Sequence, residues 1–415
     1  MADSRLRLLI CSPGVPHESK GASTVLFYHY IDRLKHSRYD ILNLLLLQSD
    51  SHTDAEVDAY IKKIETPGSF RVQTCTAESF VLNERSSIRL NTHAAEQALE
   101  YGRAFAPDVL FGLDFLSAWV LDELKCPAKL VWLGDLNFQS YWYNTLYAVK
   151  ENWQAAVAIP GAWYQRHVWS QLYATVLKKV DSVIVSSKSS EVHLRRLGVH
   201  SVYKPYPWPN AVSLNGSHDL KHRIPSFLFF GSLTGLGSRS ALRFMLTKLY
   251  ARLIREWGRG GFQIFLCGTR NLPAWVERSL VGKAEIKYLG FVEDIDALMS
   301  TCHAVLVPID VPVGNRSRIV TAMAKGSLVI AHTNASCGNP DLIDGETCYL
   351  ASNVDEFFHR MQRAFKNPEE VARIVERARE AYRRLFEPKT ACEMLVNEIE
   401  NTIHRKLEEQ KLSHV

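Results

Sequence analysis

Between Gly314 and His332 the chain reads GNRSRIVTAMAKGSLVIAH. A glycine leads into a short helical stretch, with Arg316 and Arg318 in its first turn. A helix N-terminus carries unpaired backbone N–H groups and the positive end of the helix dipole, so it suits an anion. Guanidinium groups add forked donors that match phosphate oxygens. Apolar runs stand on either side, Ala304–Val307 before the loop and Ser327–Ala331 after Gly326. They read as buried strands of a parallel sheet, with the helix ending at the glycine. Strand, glycine loop, helix, strand is a phosphate-gripping unit.

Other residues could share that chemistry. Asp135, in WLGDLNFQ (Trp132–Gln139), and Asp114, after Gly112-Leu113, each follow an apolar run. A carboxylate there could stabilise developing positive charge or orient a hydroxyl, and it serves equally as a helix N-cap; the two readings stand even. In SPGVPHESKGAS (Ser12–Ser23), Gly21 with Lys20 before it offers either a second anion approach or an ordinary loop. Arg239, Arg243 and Arg270 flank glycine turns and could complete a diphosphate clamp, although Arg243, one turn beyond Arg239, also suits a surface pair. Asp294-Ile295-Asp296 has metal-motif spacing, but with Glu293 these acids more simply favour the dipole of a starting helix. Phe138 to Tyr173 is crowded with rings: Tyr141, Trp142, Tyr143, Tyr147, Trp153, Trp163, Tyr164 and Trp169. Such rings stack on sugars or sit in a lipid interface, and a helical hairpin with its rings packed inside accounts for them as well.

The C-terminal half carries an ordered set of pieces: FLFFGSL (Phe227–Leu233), RSALRF (Arg239–Phe244), FQIFLCGT (Phe262–Thr269), IKYLGFVEDIDAL (Ile286–Leu298) and the Gly314 segment. This set, over roughly residues 225–385, resembles the donor-binding domain of retaining GT-B-fold glycosyltransferases of family four, the glycosyl transferases group 1. The resemblance implies an α/β chain of two Rossmann-like domains facing a cleft, with a C-terminal helix crossing back to the first domain. It implies metal-independent transfer of a sugar from a nucleotide diphosphate donor to an acceptor hydroxyl with retention, the nucleotide sugar being a co-substrate and no cofactor being needed. Donor contacts then fall on Gly21, Gly231, Ser232, Arg239, Gly268, Thr269, Phe291, Val292, Gly314, Asn315, Arg316, Arg318 and Thr321, and catalytic roles on Asp135, Asp114 and Arg316. The family usually carries two glutamates with seven residues between them in this region, one contacting the donor sugar and one the ribose. Val313 and Thr321 stand at those positions. Gly134 likewise replaces a usual histidine before Asp135, and Ser232 a usual arginine. The losses leave two rivals: a non-catalytic GT-B-fold binding or scaffold subunit, and a nucleotide-sugar epimerase.

The elements that position these residues alternate along the chain. Strand-like runs are Leu6–Cys11, Asp40–Leu47, Asp108–Phe111, Leu130–Leu133 and Ser182–Val185, with helices at Ala22–Lys35, Ser87–Ala104 and Leu116–Leu124. Such alternation predicts a parallel sheet with helices on both faces and ligands at the carboxyl ends of its strands. Strands recur at 227–230, 262–266, 285–288, 303–307, 327–331 and 347–350. The expected division is a first domain over 1–205, a proline-rich linker over 206–225, a nucleotide-sugar domain over 226–385 and a helix over 386–415.

The 415 residues suit two domains. A net charge of +5 permits an anionic substrate or a membrane surface and does not argue for nucleic acid. None of the eight cysteines forms a C-x-x-C pair, which predicts reduced, buried thiols. No signal peptide and no apolar run long enough to span a bilayer is seen, so the expected location is cytoplasmic, with room for a peripheral membrane contact. The expected partners are a nucleotide-sugar donor and a glycan, lipid-linked or small-molecule acceptor.

Overall fold

The computed structural model describes residues 5–19, 21–48, 52–84, 87–209, 222–268 and 271–413. The chain divides into two units, one of Met1–Trp142, Ala156–Pro207 and Pro388–Val415, the other of Tyr143–Ala155 and Trp208–Glu387.

The first unit holds strands β1 (Arg7–Pro13), β2 (Asp40–Gln48), β3 (Phe70–Ala77), β4 (Val81–Glu84), β5 (Ser87–Leu90), β6 (Val109–Leu113), β7 (Ala128–Leu133), β8 (Ser182–Val185) and β9 (Val202–Tyr203). Seven of them form a parallel sheet in the order β3-β2-β1-β6-β7-β8-β9. Leu8–Cys11 and Ile41–Leu47 are buried throughout, as strands covered on both faces must be. On one face, Phe27 and Tyr30 of the helix Ala22–Lys35 meet the edge of the Trp132 ring at 5.8 and 6.0 Å. In another core cluster, Phe115 stacks on Tyr173 with centroids 3.7 Å apart.

The C-terminal helix, Pro388–Ser413, packs on this unit. Glu398 accepts from Ser182 Oγ at 2.8 Å and pairs with Lys204 at 2.9 Å. Arg405 donates to the Asp181 carbonyl at 2.8 Å, and Lys406 pairs with the Asp181 carboxylate at 2.7 Å.

The second unit holds β10 (Ser226–Phe230), β11 (Gln263–Cys267), β12 (Ile286–Gly290), β13 (Ala304–Val307), β14 (Val329–His332) and β15 (Tyr349–Ala351), all parallel in the order β12-β11-β10-β13-β14-β15. Chain order reverses between β1 and β6 in the first sheet and between β10 and β13 in the second. At such switch points the loops diverge to opposite faces and leave a crevice at the carboxyl edge.

Several expectations change. Ser87–Ala104 is not one helix: Ser87–Leu90 pairs antiparallel with Val81–Glu84, and the helix is Thr92–Phe105, capped by Asn91. In that pair Ile88 is buried and Arg89 exposed, a two-residue alternation that a helix would not keep. The helix Asp54–Ile64, opened by a Thr53–Glu56 capping box, and β3 fill a stretch with no expected element. The helix expected over Leu116–Leu124 is shorter, Phe115–Val120.

Tyr143–Ala155, expected in the first domain, belongs to the second unit, where Lys150 pairs with Asp310 at 3.7 Å and Glu151 with Arg239 at 3.6 Å. Of the expected linker, residues 210–221 lie outside the described residues, and Trp208 is already tied into the second unit through its N–H to the Phe386 carbonyl at 2.8 Å. All eight cysteines are free thiols; Cys126 is half-buried and Cys337 exposed, against the expectation of burial. Among the described residues no helix is long and apolar enough to cross a membrane.

Burial alone would raise the Glu398 carboxyl, but hydrogen bonds from Lys204 and Ser182 outweigh it and hold the group below its ordinary 4.5. The folded value is depressed, so the stabilisation is fully present above the ordinary carboxylate range and is lost as pH falls through the folded value. Hydrogen exchange in 388–413 should therefore accelerate below that range, and Glu398→Gln should remove this pH-dependent component.

Candidate functional site

The carboxyl edge of the second sheet is built on touching glycine turns. Gly231 follows β10 at φ 104°, and Gly268 follows β11 at φ 127°, both left-handed values that glycine adopts freely. A Cβ on Gly268 would lie 2.3 Å from the Gly231 carbonyl oxygen. Gly231 N–H donates to the Cys267 carbonyl at 3.1 Å and Gly268 N–H to the Gly290 carbonyl at 2.8 Å. The ends of β10, β11 and β12 are thus locked in a row.

Across the switch point, the helix Ser317–Lys325 returns its arginines to this row. The sequence reading put both in the first turn; Arg316 is instead the N-cap, with extended backbone and with Nη2 donating to the Val311 carbonyl at 2.8 Å. Arg318 Nη2 donates to Ser238 Oγ at 2.7 Å, its guanidinium lies 4.6 Å from the Phe229 ring centre, and Gly231 leaves the room it occupies. Ser238 in turn donates to the carbonyl of Ser232, whose exposed hydroxyl lies 3.2 Å from that of Thr234. Burial, and then the neighbouring Arg316 charge, lower the Arg318 pKa to about 10. A bound anion would reverse that shift.

Gly314 sits at φ 73°, and a Cβ on Gly338 would come within 2.1 Å of its carbonyl oxygen. Arg239 Nε, Asp310 Oδ1, both amide atoms of Asn315 and Arg318 Nη1 are buried without a hydrogen-bond partner among the described residues. All lie on the loops and helices that follow β10 and β13. Buried polar atoms in folded proteins nearly always find partners, so five orphans at one switch point make this edge the candidate seat of a polar ligand.

Other expected residues fall differently. Thr321 donates to the Ser317 carbonyl at 3.0 Å and accepts from Trp208 Nε1 at 2.8 Å, an internal tie in place of the family carboxylate. Val313 is buried. Phe291, 61% exposed, and the half-buried Val292 follow Gly290 on the same edge. Asp294 caps the next helix by accepting from Ala297 N–H at 2.9 Å, and Asp296 pairs with Lys325, so both acids have structural roles. Thr269, Arg270 and Lys20 lie outside the described residues. Asp310, Lys150 and Glu151 escaped the sequence reading. Asp310 carried the same signal as Asp114, an acid just past an apolar strand.

In the first unit, Gly21, Asp114 and Asp135 follow β1, β6 and β7, which are neighbours in that order. Gly21 and Asp114 share one backbone conformation, φ 75°, ψ 161° and φ 76°, ψ 162°. Glycine adopts it at no cost; for an aspartate it stores about 1–3 kcal/mol. Asp114 Oδ1 accepts from Phe115 N–H at 2.6 Å, so the N-cap reading holds for it. Burial pushes its carboxyl pKa up, the Phe115 bond opposes that, and the Asp135 charge adds to it, which puts the two acids within electrostatic reach.

Residues 224–367 match the model of the family described as glycosyl transferases group 1. The match lies within the second unit and spans about a third of the chain. No curated protein sequence matches the chain. Among solved structures, a glycosyltransferase from Rickettsia africae aligns with TM-score 0.65 at 13% identity, over 96% of this chain and 99% of its own. Anabaena Alr3699/HepE in complex with UDP aligns with TM-score 0.64 at 14% identity, over 95% and 100%. The lipopolysaccharide outer core galactosyltransferase WaaB in its apo form aligns with TM-score 0.62 at 12% identity, over 95% and 99%. The fold is that of GT-B glycosyltransferases. In the second unit the orphaned polar atoms, Arg316 and the glycine row lie on one edge of one sheet.

Two substitutions test the backbone argument. Gly268→Ala should destabilise the domain by more than about 2 kcal/mol, because the nearest atoms are backbone and φ is left-handed; a urea unfolding midpoint reads this. Asp114→Gly relieves the stored strain and costs a few tenths of a kcal/mol in capping, so the melting temperature should rise. A simultaneous loss of activity would show that the strain is kept for the carboxylate.

Proposed function

We propose that the protein transfers a sugar from a nucleotide diphosphate donor to a hydroxyl of a glycan, lipid-linked or small-molecule acceptor, with retention and without a metal. The observation that carries this reading is the group of orphaned polar atoms at the β10/β13 switch point, next to Arg318 with its lowered pKa. A diphosphate supplies the acceptors that Arg239 Nε and Arg318 Nη1 lack. The sugar and ribose hydroxyls supply partners for Asp310 and Asn315. Phe291, exposed beyond the third glycine, offers a face for a base. The complexes of Alr3699/HepE with UDP make uridine nucleotides the first donors to try.

In this mechanism Arg316, Arg318 and Arg239 stabilise the charge that grows on the leaving diphosphate. The departing phosphate oxygen takes the proton of the incoming hydroxyl on the face it leaves, so configuration is kept. Asp114 and Asp135, on the acceptor-bearing unit, orient that hydroxyl or stabilise positive charge at the sugar carbon. Glu151 shares Arg239 with the phosphate and must yield when the donor arrives.

One observation favours a second reading, a nucleotide-binding subunit without turnover. Val313 is buried and Thr321 is tied to Trp208 and Ser317, so neither replaces a family glutamate.

The deciding experiment is a thermal-shift and donor-hydrolysis screen with UDP-, GDP-, dTDP- and ADP-sugars. A selective shift with slow release of free nucleotide is expected; a shift without release, with turnover restored by a co-purifying protein, would favour the second reading. Arg316→Ala should lower kcat/KM by about 100-fold or more while the fold remains intact by circular dichroism. Unchanged turnover would remove Arg316 from the mechanism.

A further inference from the structure

Residues 143–155 belong to the second unit, and within them Tyr147 alone is buried. The segment reaches the β10/β13 switch point through two adjacent and opposite charges. Lys150 pairs with Asp310, just past β13, at 3.7 Å. Glu151 pairs at 3.6 Å with Arg239, on the helix Leu236–Arg243 that follows β10. Both pairs are longer than the roughly 2.7–2.9 Å of a strong charge-assisted hydrogen bond. Each partner meets the segment with one end only. Asp310 Oδ1 and Arg239 Nε stay buried with no hydrogen-bond partner among the described residues. Glu151 also ends the helix Asn137–Glu151, where the negative end of the dipole disfavours a carboxylate. Tyr147, which anchors the segment, lies one helical turn before Glu151. Burial, and then the Asp310 charge, push its phenol up to about 12, with smaller effects from Arg243, Glu151 and Arg239, so the ring stands within electrostatic reach of both pairs.

We infer that Lys150 and Glu151 form a latch that closes the switch point against its own ligand. The Glu151 carboxylate stands on Arg239 in place of a phosphate oxygen. The Lys150 ammonium stands on Asp310 in place of a sugar or ribose hydroxyl. The inference rests on the reading of this edge as a nucleotide diphosphate sugar site and adds an internal competitor to it. Half-exposed ion pairs of this length are weak, so a ligand that offers better partners displaces them. A segment with one buried side chain opens without unfolding the sheet behind it. While it is closed, the latch lowers the apparent affinity by the fraction of molecules that are closed. Plain charge predicts a different pattern. Repulsion between Glu151 and a diphosphate would make removal of Glu151 favourable in either case, but removal of the Lys150 cation by charge alone weakens anion binding. Removal of half a latch strengthens it.

The test is calorimetric titration of the full chain with UDP and with inorganic pyrophosphate, paired with hydrogen exchange of residues 143–155. Glu151→Gln and Lys150→Met should each bind UDP about two- to fivefold more tightly than the unaltered protein. Their melting temperatures should not change, since both side chains are exposed. Added UDP should speed exchange in 143–155, the reverse of the protection that a ligand gives to a segment it merely covers. Lys150→Met with unchanged or weaker binding assigns the effect to charge and overturns the latch. So does exchange that slows or stays constant when UDP binds the unaltered protein. If neither probe binds the unaltered protein or either variant, the diphosphate reading of this edge fails and the latch fails with it.

Discussion

A buried guanidinium beside a second one is the constraint on which the carboxyl edge of the second sheet depends. Arg318 carries its charge away from water and next to Arg316, an arrangement that costs free energy. The surrounding structure makes the position tolerable. Phe229 offers a ring face, Ser238 an acceptor, and Gly231 the missing side chain that lets the guanidinium approach the turn. That need for space explains why glycine stands at the end of β10. The backbone approach of Gly268 to the Gly231 carbonyl then fixes the next turn as well. One requirement, room for a cation near the sheet edge, thus propagates through successive strand ends.

The first unit handles its own switch point with different means. Gly21 and Asp114 adopt the same unusual backbone after neighbouring strands, yet one is glycine and the other is not. The aspartate bonds the first N–H of its helix, which accounts for part of its retention, although asparagine or serine would also cap there. Its raised pKa and its electrostatic contact with Asp135 give the carboxyl an environment that a simple cap does not need. The C-terminal helix belongs to this unit through Glu398, Arg405 and Lys406, so the chain's last element stabilises its first sheet.

Where the resemblance to family four fails locally, packing shows what replaced it. Thr321 is held between Ser317 and the indole of Trp208, and Val313 is buried. Asp310 and Asn315 instead bring to this edge buried polar atoms that have no partner among the described residues. The site keeps its cations and its glycine turns, and its acids stand elsewhere.

The sequence by itself determined the α/β alternation, the two parallel sheets and the glycine-arginine turn at Gly314. These follow from short-range rules: continuous apolar runs for covered strands, and glycine where φ must be positive. It mistook Ser87–Leu90 for helix because the strand is fixed by its antiparallel partner Val81–Glu84, a pairing that local propensity does not encode. It could not rank Asp114 against Asp135, nor find Asp310, Lys150 and Glu151, because their roles depend on distance across strand ends and on burial. The aromatic run from Phe138 to Tyr173 was read as core or as interface. Only the tertiary structure divided it, burying Tyr173 and Phe138 and leaving Trp153 and Trp163 in solvent, because a ring's environment is set by what packs over it.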